Sequence, residues 1–381
     1  MRPKDSSFAP QVVHITTSHH AADVRIFERE CRSLSEVGGY RVAIAGDGHL
    51  PSNSQVHLFP LGRIPSGSLR RWTVGLFRAW RLTRSLNPDL WHVHDPEVLP
   101  LVLWLARTGR KVIWDAHEDY ECRLSGRVGE PAASRLQALT MKSLRLLIDH
   151  VDRSVAGVVA ATPTIAARYS NRRTMVVGNE ARLETFEGCT PTFESRQILF
   201  TGSTAPGHLF LETVQAVAAI PDVELAVAGR EPHQPSWSEA KVKLGNRLRH
   251  LGWLDRPALT SAIHESILGM LTYENREAED TAAANKAYEF AAGGLPVIAT
   301  PNKVNIHNIN HLGVGFLARD FTSDALQSAI ELALSNSHAW NQASQDARAW
   351  ARRDGTWKNS EAKLLGLYRE LIGDMTIDST F

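Results

Sequence analysis

Two oppositely charged residues, Lys286 and Glu289, stand three positions apart in a run that is otherwise rich in alanine. On an α-helix this spacing places both side chains on one face. The small side chains of Ala287, Ala291 and Ala292 would let such a helix pack closely, so that its polar face would stand out on the wall of a binding site. The alternative is a weak ion pair at the surface.

Three polar clusters follow predicted strands in the first half of the chain. They comprise Thr16, Thr17, Ser18, His19, His20, Asp23 and Arg25; then His94, Asp95 and Glu97; then Asp115, His117, Glu118, Asp119 and Glu121. Because the carboxyl ends of parallel strands meet at one edge of a sheet, the clusters should converge. Any one cluster could be structural, but their coincidence favours a site, with Asp119, Glu121 and His20 expected to be caps or solvated groups.

Histidine and carboxylate side chains also raise the question of a metal site. The run "HVHD" resembles the His-x-His-x-Asp runs of metallohydrolases, but it lacks the further aspartate and histidine that those sites need. A dinucleotide fingerprint is not supported either, because the loop after the first strand contains no glycine. The sequence therefore predicts no bound metal.

An anion site is indicated in the second half of the chain. In "LFTGSTAPGHLFLETV" the small residues Gly202, Ser203 and Gly207 lie between a strand and a helix, where backbone N–H groups and the helix dipole can face an anion. Arg230 follows the next strand and can donate two hydrogen bonds to a phosphate. The alternatives are an ordinary tight turn and a surface arginine.

Composition narrows the class of protein. A chain of 381 residues that is 43% hydrophobic and 22% charged is typical of soluble globular domains, and a net charge of +1 argues against nucleic acid as the main partner. Three scattered cysteines indicate a reducing compartment. The N-terminus has no apolar signal core, and the most apolar run, 98–106, is too short to span a bilayer. These features predict a cytoplasmic protein.

Short apolar runs alternate with helical patterns along the chain, which is typical of parallel sheets covered on both faces. Residues 180–196 have no periodicity and are expected to be a linker, and three helical patterns follow the second series, around 323–336, 338–353 and 357–373. The predicted strands are 11–16, 41–46, 56–60, 89–94, 111–116, 157–162 and 174–179, then 197–202, 223–229, 247–253, 267–272, 295–300 and 313–318.

The run "NKAYEFAAGGLPVIAT" resembles the signature of family 4 retaining glycosyltransferases of the GT-B fold, especially bacterial members that build polysaccharides and glycosylated small molecules. The runs "HITTSHHAADVRIFEREC" and "PDLWHVHDPEVLPLVLWLARTGRKVIWDAHEDYE" resemble the same group, so the resemblance covers nearly the whole chain. It implies an enzyme that moves a sugar from a nucleoside diphosphate sugar, of the UDP or GDP type, to an acceptor hydroxyl or thiol. It names neither the sugar nor the acceptor.

The resemblance implies an α/β fold of two Rossmann-like, doubly wound parallel-sheet domains that face a cleft. Residues 1–185 would bind the acceptor and residues 186–355 the nucleotide sugar, while residues 356–381 would form a helix that crosses back to the first domain. No metal or other cofactor is implied, because cationic side chains and a helix N-terminus stabilise the leaving diphosphate.

Site residues follow from the same resemblance, position by position. Glu289 matches the glutamate that hydrogen-bonds the ribose, and His117 the histidine near the donor sugar and leaving group. The implied donor-binding residues are Gly202, Ser203, Arg230, Trp253, Leu254, Asp280, Ala284, Asn285, Lys286 and Glu289. The acceptor-binding residues are expected to be His19, Asp23, Arg25, His94, Asp95 and Glu118, and the catalytic residues His117, Lys286 and Arg230.

Two departures from the family pattern bear on donor recognition. The family often has a second glutamate eight positions before Glu289, where this chain has Thr281. Asp280 or Glu279 could replace it, or backbone N–H groups of residues 283–285 could hold the sugar. The phosphate loop "GSTAPGH" has no arginine or lysine, so Lys286 and Arg230 would have to neutralise the diphosphate.

The mechanism implied is same-face attack with retention at the anomeric carbon, in which the diphosphate itself takes the acceptor proton. The alternatives are a metal-independent sugar-nucleotide epimerase of the same fold, and a non-catalytic sugar-nucleotide-binding partner. The basic and aromatic stretch 68–86 could lie on anionic lipid at the inner membrane face and present a lipid-linked acceptor. An ordinary amphipathic helix packed on the sheet is favoured slightly.

Overall fold

The computed structural model describes residues 10–63, 71–120, 134–275 and 284–373, without the side chains at 71, 134–140 and 311. The chain divides into two compact units. The first consists of residues 1–178 and 358–381, and the second of residues 179–357. The sequence predicted that the first domain ends at residue 185 and that the C-terminal helix begins at residue 356. In the structure the first unit ends at residue 178, which lies before the predicted linker.

In its described part the first unit forms a seven-stranded sheet in the order β3-β2-β1-β4-β5-β6-β7, and all neighbouring strands are parallel. The strands are β1 (Val12–His20), β2 (Val42–Asp47), β3 (His57–Pro60), β4 (Leu90–Val93), β5 (Val112–Ala116), β6 (Gly157–Ala160) and β7 (Thr174–Val176). The central strands are buried on both faces, which explains their continuous apolar runs.

Helices cover both faces of this sheet. They are α1 (Val24–Cys31), α2 (Ser33–Val37), α3 (Arg71–Gly75), α4 (Leu76–Thr83), α5 (Leu99–Arg107), α6 (Ser134–Ser154), α7 (Pro163–Ala166) and, from the end of the chain, α15 (Trp357–Ile372). The first three are π-helical, and a single 3₁₀ turn, Pro96–Val98, precedes α5. None of the helices in the described part of the chain has the length and hydropathy needed to span a bilayer.

The second unit forms a six-stranded parallel sheet in the order β10-β9-β8-β11-β12-β13. Its strands are β8 (Gln197–Thr201), β9 (Glu224–Ala228), β10 (Leu248–Gly252), β11 (Ser266–Leu271), β12 (Val297–Ala299) and β13 (Gly315–Leu317). Its helices are α8 (Phe210–Ala218), α9 (Gln234–Leu244), α10 (Arg256–His264), α11 (Asn285–Gly293), α12 (Lys303–Leu312), α13 (Ser323–Ser335) and α14 (Ser337–Arg353). The predicted fold class, two doubly wound parallel-sheet domains, is confirmed.

The predicted linker, residues 180–196, packs closely against the second unit. Phe186 is 4% exposed and Cys189 is 2% exposed, and both belong to a core cluster with α10, α11 and α14. A 3₁₀ turn, Leu183–Phe186, lies within it. The aperiodic segment is therefore folded onto the second unit, because these two apolar side chains contact its hydrophobic core.

Helix α15 belongs to the first unit. The Ser360 hydroxyl accepts a hydrogen bond of 2.9 Å from the backbone N–H of Gly178, the last residue before the chain leaves this unit. The ammonium of Lys111 donates to the Leu371 carbonyl at 2.8 Å. The Tyr368 hydroxyl lies 2.7 Å from Nδ1 of His92 in the middle of the sheet. The end of the chain therefore completes the core of the first unit.

Each sheet reverses its strand order once, between β1 and β4 in the first unit and between β8 and β11 in the second. At such a reversal the loops beyond the carboxyl ends of the two strands diverge and leave a crevice in which ligands bind. These two places are where the fold positions a functional site.

Candidate active site

Asp95 joins the two strands at the reversal point of the first sheet. It follows β4 and is 1% exposed, and its Oδ2 accepts three hydrogen bonds from the second half of β1. The donors are the Thr16 hydroxyl at 2.7 Å, the Thr17 N–H at 2.6 Å and the Ser18 N–H at 3.0 Å. One carboxylate oxygen thus holds the irregular end of β1, which carries the first polar cluster.

The other carboxylate oxygen of Asp95 binds His19. Nδ1 of His19 lies 2.8 Å from Oδ1 of Asp95, and the imidazole is 31% exposed. Burial alone would lower the pKa of His19, but the hydrogen bond and the charge of Asp95 raise that pKa to about 9. Burial opposes ionisation of Asp95 too, yet the hydrogen bonds from His19 and Thr16 hold its pKa well below the usual value. The two groups therefore form an ion pair at neutral pH.

A layer of three buried histidines lies beneath this pair. His14 of β1 and His92 and His94 in the β4 segment are each 0% exposed, with ring centroids 4.5 to 5.1 Å apart. His14 and His94 share a hydrogen bond of 2.9 Å, and His92 bonds the Tyr368 hydroxyl. Burial lowers the pKa of all three, to about 4 for His92, so the imidazoles are neutral at physiological pH.

Charged groups complete the buried layer. Arg25 is 4% exposed, and its guanidinium lies 3.2 Å from Asp115 and 3.2 Å from Glu30. Its Nη1 also donates to the Val177 carbonyl at 2.9 Å and to the Gly178 carbonyl at 3.1 Å. Burial works against ionisation of Asp115, but the charge of Arg25 keeps the pKa of this carboxyl well below its usual value. Burial and the charge of Asp115 raise the pKa of Glu30 instead.

The structure changes the assignment of three predicted acceptor residues. Arg25 and His94 are buried within the unit and engaged there, so neither presents a side-chain surface to an acceptor. Asp23 caps the N-terminus of α1, because its Oδ1 accepts hydrogen bonds from the N–H groups of Arg25 and Ile26. We therefore assign these three residues a supporting role.

His117 and Glu118 lie beside the His19–Asp95 pair. The His117 ring stands edge-on to that of His19, with centroids 5.0 Å apart, and its side chain is 10% exposed. Its Nδ1 lies 3.5 Å from Asp115. Glu118 is partly buried, and its charge contributes to raising the pKa of His19. The structure thus brings His19, Asp95, His117 and Glu118 together at the carboxyl edge of the sheet.

Two of the three residues expected to be caps or solvated groups lie in the described part of the chain, and Asp119 is instead buried. Asp119 forms an ion pair with Arg168, and His20 packs edge-on against His49. Glu121 lies outside the described residues.

Sequence reasoning missed Glu30, His14 and Tyr368. A signal for Glu30 existed, since it lies three residues after Phe27 and four before Leu34, inside the apolar stripe of its helix.

Several of these groups lie close enough to share a cation. In the described part of the chain they are His14 with Glu30, His92 and His94; His19 with Asp95 and His117; and His94 with Asp115 and His117. The first set already contains the His14–His94 and His92–Tyr368 hydrogen bonds, and the second contains the His19–Asp95 pair.

Lys286 lies at the reversal point of the second sheet. Its side chain is largely buried, and Nζ donates to the carbonyl of Thr201, the last residue of β8, at 3.3 Å. The ammonium also lies 4.5 Å from the ring centroid of Tyr273, just after β11, and 5.3 Å from that of Phe200. A positive charge is therefore held between the ends of β8 and β11.

The loop after β8 leaves backbone space next to this charge. Gly202 has φ 120° and is exposed, so a larger residue would be strained there. Gly229, after β9, approaches it so closely that an added Cβ would lie 2.4 Å from the Gly202 carbonyl oxygen. Ser203 is exposed. Small residues at 202 and 229 thus let two chain segments meet at the sheet edge.

Helix α11 presents its N-terminus at the same edge. It begins at Asn285, and Ala284 in the capping position contributes no side-chain hydrogen bond to the first N–H groups. Both residues are partly buried. One turn further on, Oε1 of Glu289 lies 2.6 Å from the Arg256 guanidinium of α10. Lys286 and Glu289 share one helix, as the spacing predicted. The sequence did not indicate that Arg256 would be the partner of Glu289.

Arg230 and the predicted base-contacting loop lie at the ends of β9 and β10. The guanidinium of Arg230 stacks over the indole of Trp253 at 5.5 Å, and Trp253 is 65% exposed. Leu254 is partly buried. The exposed stacked pair offers a planar surface and a charge.

Asp280, Glu279 and Thr281 lie outside the described residues.

These features define the class of protein: two Rossmann-like units, with the His19–Asp95 pair at the switch point of one and the largely buried Lys286 at the switch point of the other. Family models match both halves, one described as "Glycosyltransferase Family 4" over residues 9–177 and one as "Glycosyl transferases group 1" over residues 195–336. Together they span most of the chain. The protein belongs to this family of glycosyltransferases, and it is an enzyme of that class.

Solved structures share the fold at low sequence identity. Sucrose-phosphate synthase from Thermosynechococcus elongatus has a TM-score of 0.71 at 15% identity, over 94% of this chain and 98% of that one. HepE from Anabaena, solved with UDP and glucose, has a TM-score of 0.71 at 13% identity, over 94% and 99%. A protein from Listeria monocytogenes described as a UDP-N-acetylglucosamine 2-epimerase has 0.62 at 11%, over 98% and 100%. No curated protein matches significantly by sequence.

Proposed function

We propose that the protein transfers a sugar, with retention of anomeric configuration and without a metal, from a nucleoside diphosphate sugar to an acceptor hydroxyl or thiol. The position of Lys286 is the observation that supports binding of the sugar donor. This lysine holds a charge between the ends of β8 and β11, in the first turn of α11. A diphosphate at this place would meet an ammonium and the positive end of a helix dipole.

The remaining donor contacts follow from the neighbouring residues. Glu289, oriented by Arg256, would accept hydrogen bonds from the ribose hydroxyls, and Trp253 would offer its exposed ring to the base. Arg230 would join Lys286 in neutralising the leaving diphosphate. The UDP that accompanies HepE in its structure supports a uridine donor as the first one to test.

The acceptor would bind at the carboxyl edge of the first sheet. His19 and Glu118 present polar groups there, and His117 lies beside them. A sugar epimerase has no need of a second polar site of this kind, which favours transfer over epimerisation. Retention is supported by the resemblance to family 4. NMR of the product would give its anomeric configuration, and a product with the inverted configuration would contradict retention.

Nucleoside diphosphates should raise the unfolding temperature of the protein, because a ligand that binds the folded state stabilises it. We expect UDP or GDP at millimolar concentration to shift the transition by several degrees, and EDTA to leave both the shift and the turnover unchanged. Glu289→Ala should reduce the shift, whereas Glu239→Ala, an exposed change on α9, should not. No shift with any nucleoside diphosphate, together with no release from any nucleotide sugar, would exclude the proposed function.

A lipid-linked acceptor would bring the enzyme to a membrane surface, and residues 71–86 of the candidate stretch are described, with α3 and α4 in them. Leu76 and Trp80 pack against the core, as the amphipathic-helix alternative predicted, while Phe77 is 58% exposed and Arg81 and Arg84 face solvent. We expect the protein to co-sediment with phosphatidylglycerol vesicles, and Phe77→Ser with Arg81→Ser to reduce the bound fraction severalfold. Equal sedimentation of both forms, or none, would favour a soluble acceptor.

A further inference from the structure

We propose that Arg256 is a positioning residue for the sugar donor. It holds Glu289 by one carboxylate oxygen, Oε1, and so directs the other oxygen, Oε2, to the ribose hydroxyls of the bound nucleotide. This inference rests on the proposed function and deepens it, because the family resemblance implies the role of Glu289 but none for Arg256. The residues on which it depends all belong to the second unit.

One oxygen of the Glu289 carboxylate is occupied and the other is available. Nη1 of Arg256 donates a hydrogen bond of 2.6 Å to Oε1. In the described part of the chain no hydrogen bond reaches Oε2, although only 10% of the side chain is exposed. An ionised carboxylate accepts hydrogen bonds through both oxygens, and a largely buried acceptor that lacks a donor destabilises the protein. A ligand hydroxyl at Oε2 would supply that donor.

Apolar packing, rather than this ion pair, holds helices α10 and α11 together. Ile263 of α10 and Phe290 of α11 belong to one core cluster. Gly293 of α11 lies so close to α10 that an added Cβ would stand 2.6 Å from Cγ2 of Ile263. The two helices would therefore keep their contact without Arg256, whose side chain is 24% exposed.

Arg256 stands where the helix dipole disfavours a positive charge. It is the first residue of α10, and no acidic residue lies in the first turn of this helix. Cations are favoured at the opposite end of a helix, near the carbonyl groups of the last turn. The helix already has its N-cap, since Oδ1 of Asp255 accepts a hydrogen bond of 3.0 Å from the Ala258 N–H. The arginine adds nothing to this cap, so its contact with Glu289 is the feature that accounts for its position.

The position of the pair fits the ribose of a bound nucleotide. Glu289 lies one turn after Lys286 on α11, and Lys286 is the residue proposed to bind the diphosphate. Arg256 follows Trp253 by three residues in the segment after β10, and the exposed Trp253 ring is proposed to meet the base. The ion pair thus joins the segment proposed for the base to the helix proposed for the diphosphate. In a nucleotide the ribose lies between these two groups.

The pair should make the protein select nucleotides that carry ribose hydroxyls. A hydrogen bond to a charged group is worth about 10- to 100-fold in affinity, so wild type should prefer UDP or GDP by that factor over the 2′,3′-dideoxy form, which lacks both hydroxyls. Arg256→Met removes the donor to Oε1 and frees the carboxylate to turn. We expect the preference for the ribose form to fall severalfold. The affinity for the dideoxy form should change little, because this form offers Glu289 no hydroxyl.

The test measures the affinities of UDP, GDP and their 2′,3′-dideoxy forms by isothermal titration calorimetry. Glu289→Ala should abolish the preference for the ribose form, and adding Arg256→Met to it should not change the preference further, because the two residues act as one unit. Arg256→Lys should keep part of the preference, because the positive charge remains. The control is Arg249→Met, which replaces an arginine of β10 that is 50% exposed and should match wild type.

A positioning role and a structural role give different results in this comparison. An arginine that only supported the fold, or that bound the diphosphate itself, would on removal weaken the ribose and dideoxy forms alike, and that result would overturn the proposal. Equal binding of both forms by wild type, or an unchanged preference in Arg256→Met, would also overturn it, while the proposed function would stand because the nucleotide still binds. If wild type binds neither UDP nor GDP, the proposed function fails and the role of Arg256 falls with it.

Discussion

Replacing Lys286 by methionine should lower kcat for sugar transfer by about 100- to 1,000-fold, the usual cost of losing one preorganised donor to a developing oxyanion. Lys286 is the largely buried cation between the ends of β8 and β11, and the diphosphate gains charge as it leaves. Methionine keeps the aliphatic contacts with Phe200 and Tyr273, so the loss would report the charge. The measurement is kcat and KM for nucleoside diphosphate release.

The matched control is Lys243→Met, an exposed lysine on α9. It removes the same charge from the same unit and should leave kcat within about twofold, as expected for a screened surface charge. Lys286→Arg should restore part of the rate, because the charge returns on a bulkier group. A Lys286→Met enzyme that turns over its donor at the wild-type rate would show that the diphosphate does not bind at this lysine.

Arg25→Met should destabilise the protein by about 3–5 kcal/mol at neutral pH, the range measured when one partner of a buried ion pair is removed. The change would leave the buried Asp115 carboxylate without its principal counter-charge and remove the donor to two backbone carbonyls, those of Val177 and Gly178. The free energy of unfolding can be followed by guanidinium denaturation. Arg32→Met on the neighbouring helix turn removes an exposed arginine paired with Glu28 and Glu36, and it should cost less than about 1 kcal/mol.

The Arg25 effect should depend on pH. In wild type the pKa of Asp115 is depressed, so its stabilising contribution is present above the unfolded-state value of 3.8 and is lost as the pH falls through the lower folded-state value. In Arg25→Met the carboxyl can escape its unpaired charge by taking a proton. The difference between the two proteins should therefore narrow as the pH is lowered towards 4. An equal loss for Arg25→Met and Arg32→Met at neutral pH would contradict the buried-pair assignment.

Local sequence patterns determined the architecture of this protein. Continuous apolar runs identified the central strands of both sheets, because strands buried on both faces need apolar residues at every position. The spacing of Lys286 and Glu289 predicted helix α11 and its polar face. The polar residues after the strands also indicated the correct edge of the first sheet, since parallel strands end together.

Only the tertiary structure decided which of those polar residues are accessible. Arg25 and His19 come from the same cluster, yet one is buried against Asp115 while the other is exposed on Asp95. The difference depends on which strands are neighbours: β1 lies beside β4, so Asp95 reaches Thr16, Thr17 and Ser18 from nearly 80 residues away. Strand order is set by packing over the whole unit and leaves no local trace.

The same reason explains the partners of the donor site. Lys286 binds the carbonyl of Thr201, 85 residues earlier, and Glu289 is paired with Arg256, 33 residues earlier. The sequence determined that a lysine and a glutamate share one helix face, because helical periodicity is local. The tertiary structure decided that the lysine lies between two strand ends and that the glutamate is held by an arginine, because those contacts exist only after β8, β11 and α10 have packed together.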